Sequence, residues 1–88
     1  LLDDARVALA RAQALAERGY GDAAICAWLA AAGIGEPESR SAVANLDPED
    51  ERARRLVSAE RDRARAARTL ARRGFDPATV ESILGPLD

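Results

Sequence analysis

The stretch RGYGDAAICAWL at residues 18–29 returns fifty-five positions later as RGFDPATVESIL at residues 73–84. Both copies begin with Arg-Gly and an aromatic residue and end on a leucine, with an alanine and a β-branched apolar residue at matched offsets. An internal repeat of this kind indicates one supersecondary unit used twice, because each unit buries its apolar face against its neighbour. The pattern therefore predicts a repeat architecture and leaves the function open.

The composition is that of a small domain with few chemically versatile residues. The chain has 88 residues, 48% of them hydrophobic, with no His, no Lys, no Met and one cysteine, Cys26. Because no apolar stretch is long enough to cross a membrane and no Met opens the chain, we expect a piece of a longer soluble protein. A single cysteine and no signal-peptide pattern favour the reducing cytoplasm.

Capping signals divide the chain into five predicted helices. Gly19 and Gly33 suit the left-handed residue that follows a helix end, whereas Pro37, Pro48 and Pro77 suit the first helical position. No segment alternates apolar and polar residues as a half-buried strand does, so the predicted fold class is all-α. The predicted helices cover residues 4–18, 22–32, 36–46, 47–72 and 76–84.

These helices are expected to form two stacked repeats. The first is a three-helix repeat over residues 1–46, and the second is a shortened repeat over residues 47–88 that begins with a long basic helix. Helical spacing predicts a core made of Ile25, Trp28, Leu29, Ala32, Val80, Ile83 and Leu84. Tyr20 and Phe75 are expected to fill the angles between the helices that they join, since a large ring buries much area there.

Charge is strongly segregated along the chain. Residues 1–50 carry four arginines and nine acids, whereas residues 51–75 carry nine arginines and three acids. On one continuous fourth helix, five arginines fall within an arc of about 60° that contains no acid, since each residue turns the helix by about 100°. The predicted stripe consists of Arg54, Arg61, Arg65, Arg68 and Arg72. Mutual repulsion favours an anionic partner over a solvated face made of arginine by codon bias.

Residue content disfavours several other functions. A sequence-reading helix-turn-helix needs side chains that bond base edges, but residues 23–31 are mostly alanine and the last helix is acidic. An enzyme would have only carboxylates, Ser and Thr for its chemistry, and these form no recognisable constellation. The same lack of ligands disfavours a metal or cofactor site. Cys26 is interpreted as a small buried hydrophobe, and Trp28 as a core residue or else a partner anchor.

Residues 1–34 and 67–84 together resemble the second and third repeats of the bacterial recombination regulator RecX family. The most specific elements are Leu2-Asp3-Asp4, Gly33-Ile34 and the run from Leu70 to Phe75, and the resemblance covers nearly the whole chain. It implies three-helix repeats stacked into a short curved rod, with a first repeat absent. It also implies a non-enzymatic protein that binds RecA–DNA filaments in their helical groove and restrains strand exchange without reading base sequence.

The chain departs from this family on one predicted surface. The family often carries basic residues on the second helix of its middle repeat, where this chain has Asp22, Ala23, Ala24 and Ala27. Only the fourth predicted helix is then clearly basic. The predicted partner-binding residues are Arg54, Arg61, Arg65, Arg68, Arg72 and Arg73. Arg73, like Arg18, either reaches the filament or bonds carbonyls at a helix end.

Two alternatives to recombinase regulation stay open. Nonspecific nucleic-acid binding through phosphate contacts predicts a steep salt dependence, although the shortage of aromatic residues disfavours strong base stacking. A purely structural helical spacer, whose charges only keep it in solution, predicts no salt-sensitive partner. None of the three interpretations includes a membrane, a cofactor or a small-molecule substrate.

Overall fold

The structure, a computed structural model, describes residues 3–86. Within that range the chain forms six α-helices and no β-strand, which confirms the all-α prediction. The helices are α1 (Asp4–Glu17), α2 (Asp22–Ala31), α3 (Glu36–Ala44), α4 (Glu49–Val57), α5 (Arg63–Arg72) and α6 (Pro77–Leu84). Residues 1–2 and 87–88 lie outside the described residues. They include Leu2 of the RecX-like motif and the outer ends of both predicted repeats.

Glycine and aspartate set several helix ends. Gly33 and Gly74 follow α2 and α5 with φ values of 86° and 83°, a left-handed conformation that disfavours any side chain. The Asp76 carboxylate accepts the N–H of Ala78 at 2.7 Å and so begins α6. These ends agree with the capping signals because each depends only on nearby residues.

The predicted single helix over residues 47–72 is wrong, because two shorter helices, α4 and α5, form there. Residues 58–62 separate them, and the carboxylate of Asp62 accepts the N–H of Arg65 at 3.1 Å. A side chain that satisfies an otherwise unpaired N–H starts a new helix at that point. The second predicted repeat was expected to contain two helices, a long basic one and a short one, but it contains three. The described residues therefore form six helices instead of the five predicted.

The six helices form two three-helix units with separate cores. We call α1–α3 the N-terminal unit and α4–α6 the C-terminal unit; in each, the third helix packs against both others. The buried core of the N-terminal unit is Ala8, Ala12, Ile25, Leu29, Ile34 and Ala42. The buried core of the C-terminal unit is Ala53, Val57, Ala66, Leu70, Phe75 and Val80. With so many alanines, each unit depends on a few large side chains for its buried apolar area.

One offset in residue number relates the second and third helices of the two units, whereas α1 is longer than α4 and begins earlier under that offset. It moves Asp22–Ala31, which is α2, onto Arg63–Arg72, which is α5. The same offset pairs two leucines that are completely buried, Leu29 and Leu70. This offset is shorter than the period of the sequence repeat. The sequence repeat pairs Arg18 with Arg73 and so relates the α1–α2 turn to the α5–α6 turn.

These two turns contact each other and join the units. The N–H of Gly21 donates to the Arg73 carbonyl at 2.8 Å, and the N–H of Ala23 donates to the Gly74 carbonyl at 3.2 Å. A Cβ atom on Gly21 would lie 2.5 Å from the Gly74 carbonyl oxygen, although the φ of Gly21 is an ordinary −85°. Glycine is therefore required there by the close approach of two backbones.

Two side chains of α4 complete this junction. Arg52 is only 8% exposed; its guanidinium donates to the Tyr20 carbonyl at 3.0 Å and forms an ion pair with Asp22. The Glu49 carboxylate accepts the N–H of Asp22 at 2.7 Å and the N–H of Asp76 at 3.3 Å. Because these bonds are directional, they fix how the units meet. The result is a rod with extents of 49 × 20 × 17 Å.

Trp28 and Ala32 are not core residues, contrary to the prediction. Trp28 is 42% exposed, and the Arg11 guanidinium carbon lies 5.0 Å from the centre of its ring. Ala32 lies in the exposed turn after α2. The buried side of α2 is set by Ile25 and Leu29. Trp28 lies about 60° from the first and about 100° from the second around the helix, which places it at the margin of the core.

Of the remaining core predictions, Ile25, Leu29 and Val80 are confirmed as buried, whereas Ile83 and Leu84 are only partly buried. Phe75 is buried in the core of the C-terminal unit with Val80, and Ile83 and Leu84 pack against them. Tyr20 is only half-buried and packs against the core of the N-terminal unit. The same turn motif therefore supplies a core side chain in one unit and a junction side chain in the other.

Candidate partner-binding surface

α5 presents three arginines to solvent on one side. Arg65, Arg68 and Arg72 are all exposed. Their spacing of three and four residues places them within about 60° of each other around the helix. The opposite side of α5 carries Ala66 and Leu70, which are buried in the core of the C-terminal unit. We call the three residues the α5 arginine face.

The α5 arginine face has few acidic neighbours. α5 itself contains no Asp or Glu. The closest approach is between Arg65 Nη1 and Glu60 Oε1, at 3.8 Å, and so long a pair at the surface contributes little. Among residues 3–86, neither Arg68 nor Arg72 has a carboxylate within 4.0 Å. Their charges are available to an anionic partner.

The other two arginines of the predicted stripe lie elsewhere. Arg54 belongs to α4, where its Nη1 is 3.5 Å from the Asp50 carboxylate. Arg61 is exposed in the segment between α4 and α5. Because the helix is interrupted, the continuous five-arginine stripe is wrong. Only the residues of the α5 arginine face share one helix.

Arg73 belongs to the junction between the units. Its Nη1 donates to the Arg18 carbonyl at 3.0 Å, and its guanidinium carbon lies 5.2 Å from the centre of the Tyr20 ring. The Arg73 guanidinium thus binds a carbonyl at a helix end and an aromatic face within the molecule, and these contacts compete with binding to an outside partner. Of its two predicted roles, Arg73 therefore fills the one at a helix end.

Asp62 holds the first turn of α5 and so positions Arg65. The hydrogen bond from the Arg65 N–H lowers the pKa of Asp62 below its ordinary value, and the N–H of Ala64 and the charges of Arg65 and Arg68 act in the same direction. The carboxylate is thus ionised at neutral pH, where a negative charge at a helix N-terminus is favourable.

Cys26 and the acidic side chains are the other groups of residues 3–86 that could form a site of a different kind. Burial raises the pKa of the Cys26 thiol, and the charge of Asp22 adds to the rise, so the thiol is protonated at neutral pH. Within residues 3–86, no three His, Cys, Asp or Glu side chains are grouped so that they could hold a metal ion. In the same range, no helix has both the length and the apolar character needed to cross a membrane.

Comparison of the chain with protein-family models and with curated proteins gives no significant match. A small helical fold hosts many functions, so architecture alone does not identify one. A functional hypothesis for this chain must therefore rest on the α5 arginine face and on the sequence motifs that resemble RecX.

Proposed function

We propose that this protein is a non-enzymatic regulator that binds RecA–DNA filaments and inhibits the recombinase. The observation that carries the proposal is the α5 arginine face, three exposed arginines on a helix without acids. The RecX-like motifs supply the identity of the filament. A guanidinium suits either component of such a filament, because its planar fork bonds a carboxylate or a phosphate in two places.

The shape of the molecule supports binding along an extended partner. The rod is 49 Å long and about 20 Å wide, and the junction between its units is made of directional backbone and side-chain bonds. A pre-organised rod loses little conformational freedom on binding, so more of its contact energy appears as affinity. Placement in a filament groove would restrain strand exchange by occupying space, without any chemical step.

The test is fluorescence anisotropy with RecA filaments on labelled single-stranded DNA. We expect the triple variant Arg65→Ala, Arg68→Ala, Arg72→Ala to bind about 10- to 100-fold more weakly, since three exposed charge contacts each contribute up to about 1 kcal/mol. The matched control removes three exposed arginines elsewhere, at Arg6, Arg40 and Arg55, with the same change in net charge. Equal losses in both triple variants would contradict the assignment of the α5 arginine face.

The same titration distinguishes nonspecific nucleic-acid binding, for which the α5 arginine face is also suited. That alternative predicts equal affinity for filaments and for bare DNA. It also predicts a log–log salt slope near −2, from about −0.7 for each of three phosphate contacts on a single strand. Tight filament binding with weak bare-strand binding would favour the regulator, and no binding to either would leave a structural spacer.

A further inference from the structure

An open apolar groove lies between α5 and α6, next to the α5 arginine face. It encloses about 470 Å³ and is lined by Ala67, Ala71, Phe75, Pro77 and Val80. Phe75 and Val80 are buried core residues whose surfaces reach this groove. The volume is within the range of about 300–1,000 Å³ that is typical of ligand-binding clefts.

Charged side chains flank the groove with opposite signs. Arg68 of α5 and Glu81 of α6 both line it, and both are exposed. Going around α5, the alanines at 67 and 71 lie about 60° to 100° from Arg68, so the arginines and the apolar wall are adjacent strips of one helix. A partner seated on α5 would therefore contact both strips.

We propose that this groove receives an apolar side chain from an acidic segment of a protein, whose carboxylates bind the α5 arginine face. The inference rests on the proposed function and names the component of the filament that this surface recognises: the recombinase protein. Carboxylates next to an apolar residue complement arginines next to an apolar groove. The apolar anchor fixes the position of the segment, and the charges fix its orientation.

Nucleic acid fits the same surface less well. Glu81 would repel any anion placed in the groove itself, a phosphate or a carboxylate alike, so the groove suits an uncharged group. Bases bind strongly without sequence preference when they stack on exposed aromatic rings, but the aromatic residue of the groove, Phe75, is only 4% exposed. A single strand would thus gain from the arginines alone and leave the groove empty.

The test fills the groove without changing charge. Ala71→Phe places a ring at the exposed wall of the groove, and Ala30→Phe is the control, an exposed alanine of α2 in the N-terminal unit. We expect Ala71→Phe to weaken binding to RecA–DNA filaments roughly 10- to 100-fold, the loss that corresponds to one excluded apolar side chain. Binding to bare single-stranded DNA should change less than twofold, and Ala30→Phe should leave both affinities within twofold.

A smaller side chain at the same position gives a graded version of the test. Ala71→Leu fills less of the groove and should give a smaller loss, with folding of each variant checked by circular dichroism. If both variants at Ala71 bind filaments as tightly as the wild type does, the groove has no occupant and the inference is wrong while the regulator proposal stands. Equal weakening for filaments and bare DNA would assign the surface to nucleic acid. Failure of the wild type to bind filaments would overturn the proposed function itself.

Discussion

Ser39 is the residue at which the two units differ most clearly in their cores. Its hydroxyl is buried and has no hydrogen-bond partner among residues 3–86. The offset between the units, which moves Leu29 onto Leu70, pairs Ser39 with Val80, a buried apolar residue. A buried hydroxyl without a partner loses its hydration with nothing in return.

Replacing that hydroxyl should stabilise the protein. We expect Ser39→Ala to raise the free energy of unfolding by about 1 kcal/mol, because it removes an unsatisfied polar group from the core. Urea unfolding followed by circular dichroism measures the change. Ser41→Ala, on the exposed side of the same helix, is the control and should change stability by less than about 0.5 kcal/mol. A loss of stability in Ser39→Ala would mean that the hydroxyl is in fact bonded.

Single residues were predicted correctly where their surroundings are local in sequence. The exposure of Arg65, Arg68 and Arg72 follows from helical spacing, which the sequence contains. The contact of Arg73 with Tyr20 and the contact of Arg11 with Trp28 do not follow from it, because the first joins two turns of different units and the second joins two helices. Sequence patterns carry no direct signal for such contacts.

Among the elements, α5 depends on its N-terminal cap. Asp62 has a lowered pKa, chiefly because its carboxylate accepts the Arg65 N–H. A carboxyl whose pKa is lower in the folded than in the unfolded state stabilises the fold above its unfolded pKa, near 4, and loses that effect as the pH falls through the folded pKa.

The pH dependence of thermal stability tests this cap. We expect Asp62→Ala to lower Tm at pH 7, because no side chain then bonds the Arg65 N–H. The difference from the wild type should shrink as the pH falls below about 4, where the wild-type carboxylate is progressively protonated. Asp62→Asn is the control: the amide oxygen keeps the cap, so this variant should lose the pH dependence and retain most of the stability. A difference that stays constant down to pH 2 would contradict the role of the ionised carboxylate.

Helix existence was easier to predict than helix continuity. Proline, glycine and aspartate marked the ends of most elements, and these signals need no tertiary contact. The break at residues 58–62 was missed because the apolar and basic periodicity of α4 continues in phase into α5. Asp62 is a strong N-cap residue, yet it lies within a charged run that is equally compatible with an exposed helix face.

At the scale of the whole molecule, the close backbone approach at Gly21 decides how the units meet. Gly21 and Gly35 precede α2 and α3 with similar extended conformations. A Cβ on Gly21 would meet backbone atoms of residues 74 and 75 at 2.5–2.6 Å, whereas a Cβ on Gly35 would meet the flexible end of Glu38 at 2.8 Å. The two positions therefore share a local role and differ in tertiary contact.

This pair isolates the contribution of the junction. We expect Gly21→Ala to destabilise the protein by about 1–3 kcal/mol more than Gly35→Ala does, because only the first forces two backbones apart. Chemical denaturation of both variants gives the difference between their free energies of unfolding. Because each variant loses a glycine N-cap, that shared effect cancels in the difference. Similar stabilities for the two variants would show that the junction relaxes at little cost.

The sequence predicts a repeat with a period of fifty-five residues, whereas a shorter offset relates α2 to α5. The sequence similarity between residues 18–29 and 73–84 reflects two turns that contact each other, while the units that fold alike are related by the shorter offset from α2 to α5. Some buried pairs keep the same residue, as Leu29 and Leu70 do, whereas others differ in size, as Ile25 in one unit and Ala66 in the other do. Because packing tolerates such exchanges, the correspondence between the two units is clearer from their helix bounds than from their residue types.

The carboxylate of Glu49 begins two helices in different units, since it accepts backbone N–H groups at the start of α2 and just before α6. In a linear array, the cooperativity of unfolding depends on how the interface energy compares with the intrinsic stability of each unit. Melting of the C-terminal unit removes the Glu49 carboxylate from the start of α2, and melting of the N-terminal unit removes the Gly21 N–H from the Arg73 carbonyl at the end of α5. The two halves are therefore expected to unfold in one transition, so that a defect in one unit lowers the population of both.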